Sequence, residues 1–216
     1  MKKSLFTSLA LLVALTLCSA EFTVDFSNKL RDSSLKNHGF MHRKGEILIT
    51  EDEGNKCLSL GGEKRTAAWV GFGKTVEAGE ISFRFKSVDW DCTSPNSHFL
   101  ATFVSGPVRL MLYTQPNKRG HFLFNNQQTK FSSGGIVGKF IWQKNEWHTV
   151  KVVWDAKTST LYLDGKRISN VKNAPEFKGW SGVSLGTYYL WKNGGTGTTL
   201  FDDFHFSDGV ALKKSI

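Results

Sequence analysis

The chain lacks most of the signatures that mark a specific chemistry. Its three cysteines include no Cys-x-x-Cys pair, so the spacing of a structural zinc site is missing. Neither Cys57 nor Cys92 has an adjacent base, and no nucleophilic serine or cysteine is expected. No recognition-helix pattern and no aromatic RNA-binding signature occur, which argues against nucleic acid as a partner. There is no repeat at a solenoid or propeller period. Beyond the N-terminus no apolar run is long enough to cross a membrane, and no helical periodicity extends over three turns.

What is present begins with an export pattern. Lys2 and Lys3 form a basic start, Leu5 to Leu17 is apolar, and Cys18-Ser19-Ala20 places small residues at −3 and −1. Residues 1–20 are therefore expected to be a signal peptide cleaved before Glu21, and the protein to be secreted or periplasmic. The apolar run falls short of the roughly 20 residues that a spanning helix needs. Residues 21–216 then form one domain of a size that buries a substantial core. Of the formal charge of +9, Lys2 and Lys3 carry two, leaving +7 on that domain. The excess suits acidic glycans or anionic cell surfaces, and it also serves simple solubility. In an exported chain, Cys57 and Cys92 are free to form a disulfide, which typically contributes a few kcal/mol.

Short strands dominate. Trp147 to Lys166 reads as two strands around a polar turn, with His148, Val150, Val152 and Trp154 on one face. Asp164-Gly165 opens the next tight turn. Ile81, Phe83 and Phe85 alternate with Ser82, Arg84 and Lys86. His98 to Val104 reads as a strand buried on both faces, and Val108, Leu110 and Leu112 alternate with Arg109, Met111 and Tyr113. Phe22–Phe26 and Leu200–Phe206 are terminal strands. The stretch 29–45 reads as irregular, and a loop is expected after Ile168. Many short strands with frequent turn signals predict an all-β, two-sheet antiparallel sandwich.

Four segments carry a resemblance. They are Gly79-Glu80-Ile81-Ser82-Phe83-Arg84-Phe85, the run from Trp147 to Trp154, Leu161-Tyr162-Leu163-Asp164-Gly165-Lys166, and Phe201-Asp202-Asp203-Phe204-His205-Phe206. In this order they resemble laminin G-like domains of the concanavalin A-like lectin/glucanase superfamily. The resemblance implies a jelly roll whose first and last strands lie together. It does not choose among lectins, hydrolases, lyases and adhesion modules.

Within that family, retaining glucanases place Glu-x-Asp-x-Glu or Glu-x-Asp-x-x-Glu on one strand. This chain has only Glu51-Asp52-Glu53 beside Gly54, a solvated turn. A lyase on an acidic glycan would draw on Arg109, Tyr113, His98 and His121, although the lyase phrases of the family are absent. Sugar binding needs aromatic platforms and polar groups, for which Trp90, Tyr188 and Trp191, with Arg84, Arg109 and Tyr113, are the candidates. The resemblance further implies a structural Ca2+ site at Asp25, Asp202 and Asp203, or a turn-supporting role for Asp202. The expected function is a non-catalytic carbohydrate-binding or cell-surface interaction module. The alternatives are the lyase and an adhesion domain with a protein partner.

Overall fold

The computed structural model describes residues 21–24, 40–44, 47–61, 66–94, 98–105, 108–114, 121–127, 135–139, 142–173, 175, 177–186 and 197–209. Among them are fifteen strands and no helix. In chain order these are β1 (Glu21–Val24), β2 (Phe40–Lys44), β3 (Ile47–Asp52), β4 (Asn55–Leu60), β5 (Ala67–Val76), β6 (Gly79–Ser87), β7 (Phe99–Ser105), β8 (Val108–Tyr113), β9 (His121–Gln127), β10 (Gly135–Lys139), β11 (Trp147–Trp154), β12 (Thr158–Leu163), β13 (Lys166–Lys172), β14 (Trp180–Gly186) and β15 (Thr199–Ser207). Residues 1–20, where a signal peptide is expected, lie outside the described residues.

The strands form two antiparallel sheets. One runs β13-β12-β11-β6-β15-β4-β3, with β1 also paired to β15. The other runs β10-β9-β8-β7-β14-β5-β2. Glu21–Val24 pair antiparallel with Ser207–Phe204, so the terminal strands meet as expected. Two strands arise where none was expected. β2 falls inside the polar stretch and pairs with β5, and β13 replaces the loop after Ile168 and pairs with β12. Both are polar sequences on sheet edges, where pairing needs no alternating apolar face.

Alternation decides which side chains enter the core. Ile81, Phe83 and Phe85 of β6 pack with Val150, Val152 and Trp154 of β11 and with Leu161 and Leu163 of β12. Val70 and Phe72 of β5, Phe103 of β7, Leu110 and Leu112 of β8, and Val183 and Leu185 of β14 face them from the other sheet. Aromatic rings bridge the layers: Phe72 stacks on Phe206 with centroids 4.3 Å apart, and Phe103 meets Trp154 edge-on at 6.5 Å. β15 carries a bulge between Asp202 and His205, with Asp203 at φ 48°. The extra residue lets Phe201, Phe204 and Phe206 all reach the core despite their uneven spacing.

The turn between β12 and β13 has Asp164 at φ 48° and Gly165 at φ 75°, the left-handed pair that a two-residue hairpin requires. Asp164 also ties the turn to β11. Its Oδ1 accepts the Thr149 backbone N–H at 2.8 Å, and its Oδ2 lies 2.8 Å from His148 Nδ1. Asp164→Ala should lower stability by about 2 kcal/mol in urea unfolding, from lost hydrogen bonds and a strained φ. Asp164→Gly removes only the bonds and should cost about 1 kcal/mol. Equal losses would show that the backbone contributes nothing.

Candidate functional site

Because each sheet turns one face to the core, chemistry must reside on the outer faces or in the loops. The loop candidate Trp90 does neither. It is 3% exposed, its Nε1–H donates to Thr199 Oγ1 at 3.1 Å, and its ring lies flat on His98 at 4.5 Å and edge-on to Trp142. Asp89 and Asp91 make the local sequence polar, yet the indole fills the end of the core. Trp90 is thus no exposed sugar platform. Tyr188 and Trp191, the other aromatic candidates, lie outside the described residues, as does Asp25.

On the outer face of the first sheet, Arg84 is committed to internal partners. Its guanidinium lies 3.5 Å from Asp202 Oδ2 and 3.2 Å from Asp203 Oδ2, and 4.6 Å from the ring centre of Trp147. Beside it, Lys86 bonds Asp52 at 2.9 Å and Glu53 at 3.3 Å, and Trp147 Nε1–H donates to Asp52 at 3.0 Å. The Asp52 hydrogen bond is the main reason that the Lys86 ammonium is held above its ordinary pKa, against the opposing effect of its burial. This network joins the β3–β4 hairpin to β6 and β11. It also engages two of the three calcium candidates, since one guanidinium offsets part of the charge of Asp202 and Asp203; the third, Asp25, lies outside the described residues. Among the described residues no group of three or more His, Cys, Asp or Glu is arranged to hold a metal. Asp202 Oδ1 does accept the Asp203 N–H at 2.9 Å, the turn-supporting role.

The disulfide open to Cys57 and Cys92 is not formed. Cys57 and Cys92 are both free and buried, with Cys57 Sγ 3.8 Å from the Thr50 carbonyl and Cys92 Sγ 3.5 Å from that of Trp142. The two thiols have separate surroundings. Burial pushes Cys57 up to about 11, aided by Asp52 and Asp202, and burial raises Cys92 as well, so neither is a reactive thiolate.

The outer face of the second sheet gathers the remaining groups. Cα pairing places Trp69, Ser184, Thr102 and Met111 in one lateral row across β5, β14, β7 and β8. The next row is Gly71, Gly182, Val104 and Arg109. A Cβ at Gly182 would lie 2.4 Å from Trp69 Cζ2, so the indole spreads over the glycine floor. Gly71, Val104 and Arg109 are half-exposed, whereas Trp69, Ser184 and Thr102 are buried. Among the described residues the hydroxyls of Ser184 and Thr102 have no hydrogen-bond partner; a buried hydroxyl left so costs about 1–3 kcal/mol. Sequence reading missed this row. Thr102 was the available signal, a polar residue inside an otherwise apolar strand.

β14 also spells Gly182-Val183-Ser184-Leu185-Gly186, a Gly-x-Ser-x-Gly that the sequence reading passed over. It is not a nucleophile elbow. Ser184 sits mid-strand between Trp69 and Thr102, with no strand-to-helix turn and no base on its Oγ.

The lyase set does not converge. Arg109 and Tyr113 share the outer face of β8, and Tyr113 is buried there with Met111. His98 points to the opposite face, onto Trp90 in the main core. His121 is placed by its backbone on β9 opposite Lys139; its side chain lies outside the described residues.

The Laminin_G_3 family model, described as concanavalin A-like lectin/glucanases superfamily, matches residues 88–216. The chain belongs to this superfamily. Among solved structures, it is similar to the carbohydrate esterase vb_24B_21 from the Shiga toxin-encoding bacteriophage phi24B, with TM-score 0.64, 17% identity, and coverage of 88% of this chain and 99% of that one. It is also similar to the apo Crh5 transglycosylase, with TM-score 0.63, 11% identity, and coverage of 86% and 83%. A third similar structure is of botulinum neurotoxin type C, whose cell entry depends on interaction with two ganglioside molecules. There the TM-score is 0.57 at 17% identity, covering 78% of this chain and 42% of that one. Such identities show the fold alone. No curated protein matches the sequence.

Burial holds the His98 imidazole down to about 4, against the opposing pull of Asp89 and Asp91. The folded protein therefore keeps it neutral where the unfolded chain, titrating near 6.5, takes up a proton. Stability should be intact above pH 6.5 and fall as pH drops from 6.5 towards 4, by about 3 kcal/mol in total. Urea unfolding across this range, with His98→Phe losing the dependence, checks the assignment. An unchanged slope in the variant would refute it.

Proposed function

We propose that the chain is an exported, non-catalytic glycan-binding module whose ligand face is the outer side of the second sheet. The observation that carries this reading is the pairing of Trp69, spread over Gly71 and Gly182, with the unpartnered hydroxyls of Ser184 and Thr102. An aromatic plane takes the C–H face of a sugar, and hydroxyls exchange hydrogen bonds with its own. Arg109, half-exposed in the adjoining row, adds a charged donor at the border. Trp69 and both hydroxyl oxygens are buried, so on this reading a ligand reaches them only when this face opens; unlike Trp90, Trp69 lies on an outer sheet face and outside the main core cluster.

Two further points support binding over catalysis. His98 and Tyr113 lie on opposite faces of their sheet, and Asp52, Asp202 and Asp203 are committed to Lys86 and Arg84. The ganglioside interaction of a structurally similar toxin is a precedent for the fold. Arg109 and Tyr113 on one face of β8 keep a lyase as the second reading, which the ultraviolet absorbance of unsaturated products from uronate polymers would reveal.

Expressed with its own N-terminus, the protein should be exported with Glu21 as its first residue. On a glycan array, Trp69→Ala should weaken binding at least about tenfold. Ser184→Ala should weaken it while leaving stability unchanged or raising it by about 1 kcal/mol, because an unpartnered hydroxyl is removed. Undiminished binding in both variants would sink the site. Silence of the wild type across the array would leave a protein partner.

A further inference from the structure

The other sheet carries a second surface, independent of the reading above. On its outer face, Lys151 of β11 lies directly opposite Tyr162 of β12, and Tyr162 lies opposite Arg167 of β13. A bulge in the β12–β13 pairing creates this alignment: the register shifts between Leu161 and Tyr162, Ile168 packs against the core, and Arg167 comes level with the tyrosine. Two interstrand spacings separate the cations by about 10 Å, with the phenol ring between them.

We infer that this strip binds a linear anionic polysaccharide, with Lys151 and Arg167 each taking an anionic group and Tyr162 taking the sugar face between them. Cation, aromatic plane and cation follow at the scale of two linked pyranose rings. Arg167 is exposed and makes no side-chain hydrogen bond or ion pair among the described residues, so its five donors are uncommitted. Tyr162 is half-buried, with neither a ring contact nor a hydrogen bond from its phenol among them. Its position is ordered by the ladder on both sides, which limits the entropy lost on binding.

Lys151 bonds Glu80 at 2.7 Å, but an ammonium has three donors, so one carboxylate positions it without exhausting it. Asp164, two residues beyond Tyr162, is engaged by His148. One row further along, Asn170 donates to Thr160 Oγ1 at 2.9 Å, giving a polar margin against which sugar hydroxyls can lie. Elsewhere on the same face the cations Arg84 and Lys86 are consumed by Asp202, Asp203, Asp52 and Glu53. Unspent positive charge is thus concentrated at the β13 end, where Lys166 is exposed next to Arg167.

The test is calorimetry of the full chain with a heparin hexasaccharide, an oligogalacturonate of equal length and a neutral dextran oligomer, at several salt concentrations. Both or either of the anionic oligomers should bind and dextran should not. Because heparin carries uronate carboxylates as well as sulfates, binding of heparin alone identifies sulfate as the anion, whereas binding of the oligogalacturonate shows that carboxylate suffices. The double variant Lys151→Gln/Arg167→Gln should raise Kd about tenfold and reduce the log–log salt slope by about two. Tyr162→Ala should raise Kd while leaving the slope unchanged. A control pair with the same loss of charge, Lys144→Gln/Lys178→Gln, should alter Kd less than about twofold.

Equal weakening by the control pair would overturn the inference, since net charge alone would then explain the binding. So would failure of both anionic oligomers to bind, or Tyr162→Ala binding like the wild type. Binding to anionic phosphatidylserine vesicles that exceeds binding to either oligomer would assign the strip to a membrane surface and overturn it too. None of these results bears on Trp69 or Ser184, so the glycan face of the second sheet stands or falls separately.

Discussion

One indole holds the two sheets in register. Trp154 closes β11, stands in the core with both layers around it, and donates its Nε1–H to the carbonyl of Val76 on the opposite sheet at 2.9 Å. Phe72 stacks on it and Phe103 meets its edge, so it fastens the layers by a directional bond as well as by area. A buried indole without that acceptor would leave a donor unsatisfied at a cost of about 1–3 kcal/mol. The surroundings are shaped to admit it: a Cβ at Gly79 would stand 2.5 Å from the Ser207 carbonyl and 3.0 Å from the Trp154 ring. Where the layers meet at the other end, Trp142 bonds Ser87 and Trp90 bonds Thr199, repeating the same solution.

Since aromatic packing fills the interior, polar chemistry is driven outward, and the two outer faces differ. The first sheet neutralises much of its own charge: Arg84 and Lys86 flank Trp147 and bind four acids from two segments, the β3–β4 hairpin and β15. Such a network sits in partial contact with water, so its value lies more in fixing the β3–β4 hairpin than in raw stability. The second sheet does the reverse and leaves two hydroxyls without partners beside a large indole. Among the described residues, Ser184 and Thr102 are the two hydroxyls so placed, and their position on an outer face beside Trp69 sets them apart from the core Trp180 Nε1–H, which also has no partner there.

Much of this was legible in the chain. The alternation of Trp147 to Leu163 and of Ile81 to Phe85 located the central strands of the first sheet, and their apolar members are the core. The pairing of the first and last strands followed from the family resemblance. Trp90 was misread because its neighbours are aspartates; only the fold brings Thr199 and His98 to it from distant positions. Cys57 and Cys92 could pair on compartment grounds, but they sit in different environments, which composition cannot reveal. Strand β13 was hidden because Lys166 to Lys172 alternates weakly, and its bulge breaks what alternation there is. The row of Trp69, Ser184, Thr102 and Met111 draws on four strands, so no local pattern could have announced it.

The first sheet ends in two unlike borders. At one, β13 carries Lys166, Arg167 and Lys172 and a bulge, and it leans towards β9 and β10 of the other layer. A second chain would meet charge, a kinked backbone and a neighbouring strand, all of which discourage templated growth. At the other, β3 is regular in its pairing with β4, and Leu48 is 49% exposed. Among the borders of the first sheet it is β3 that offers an incoming strand a regular edge, with the acidic Glu51 and Asp52 at its end as a local brake.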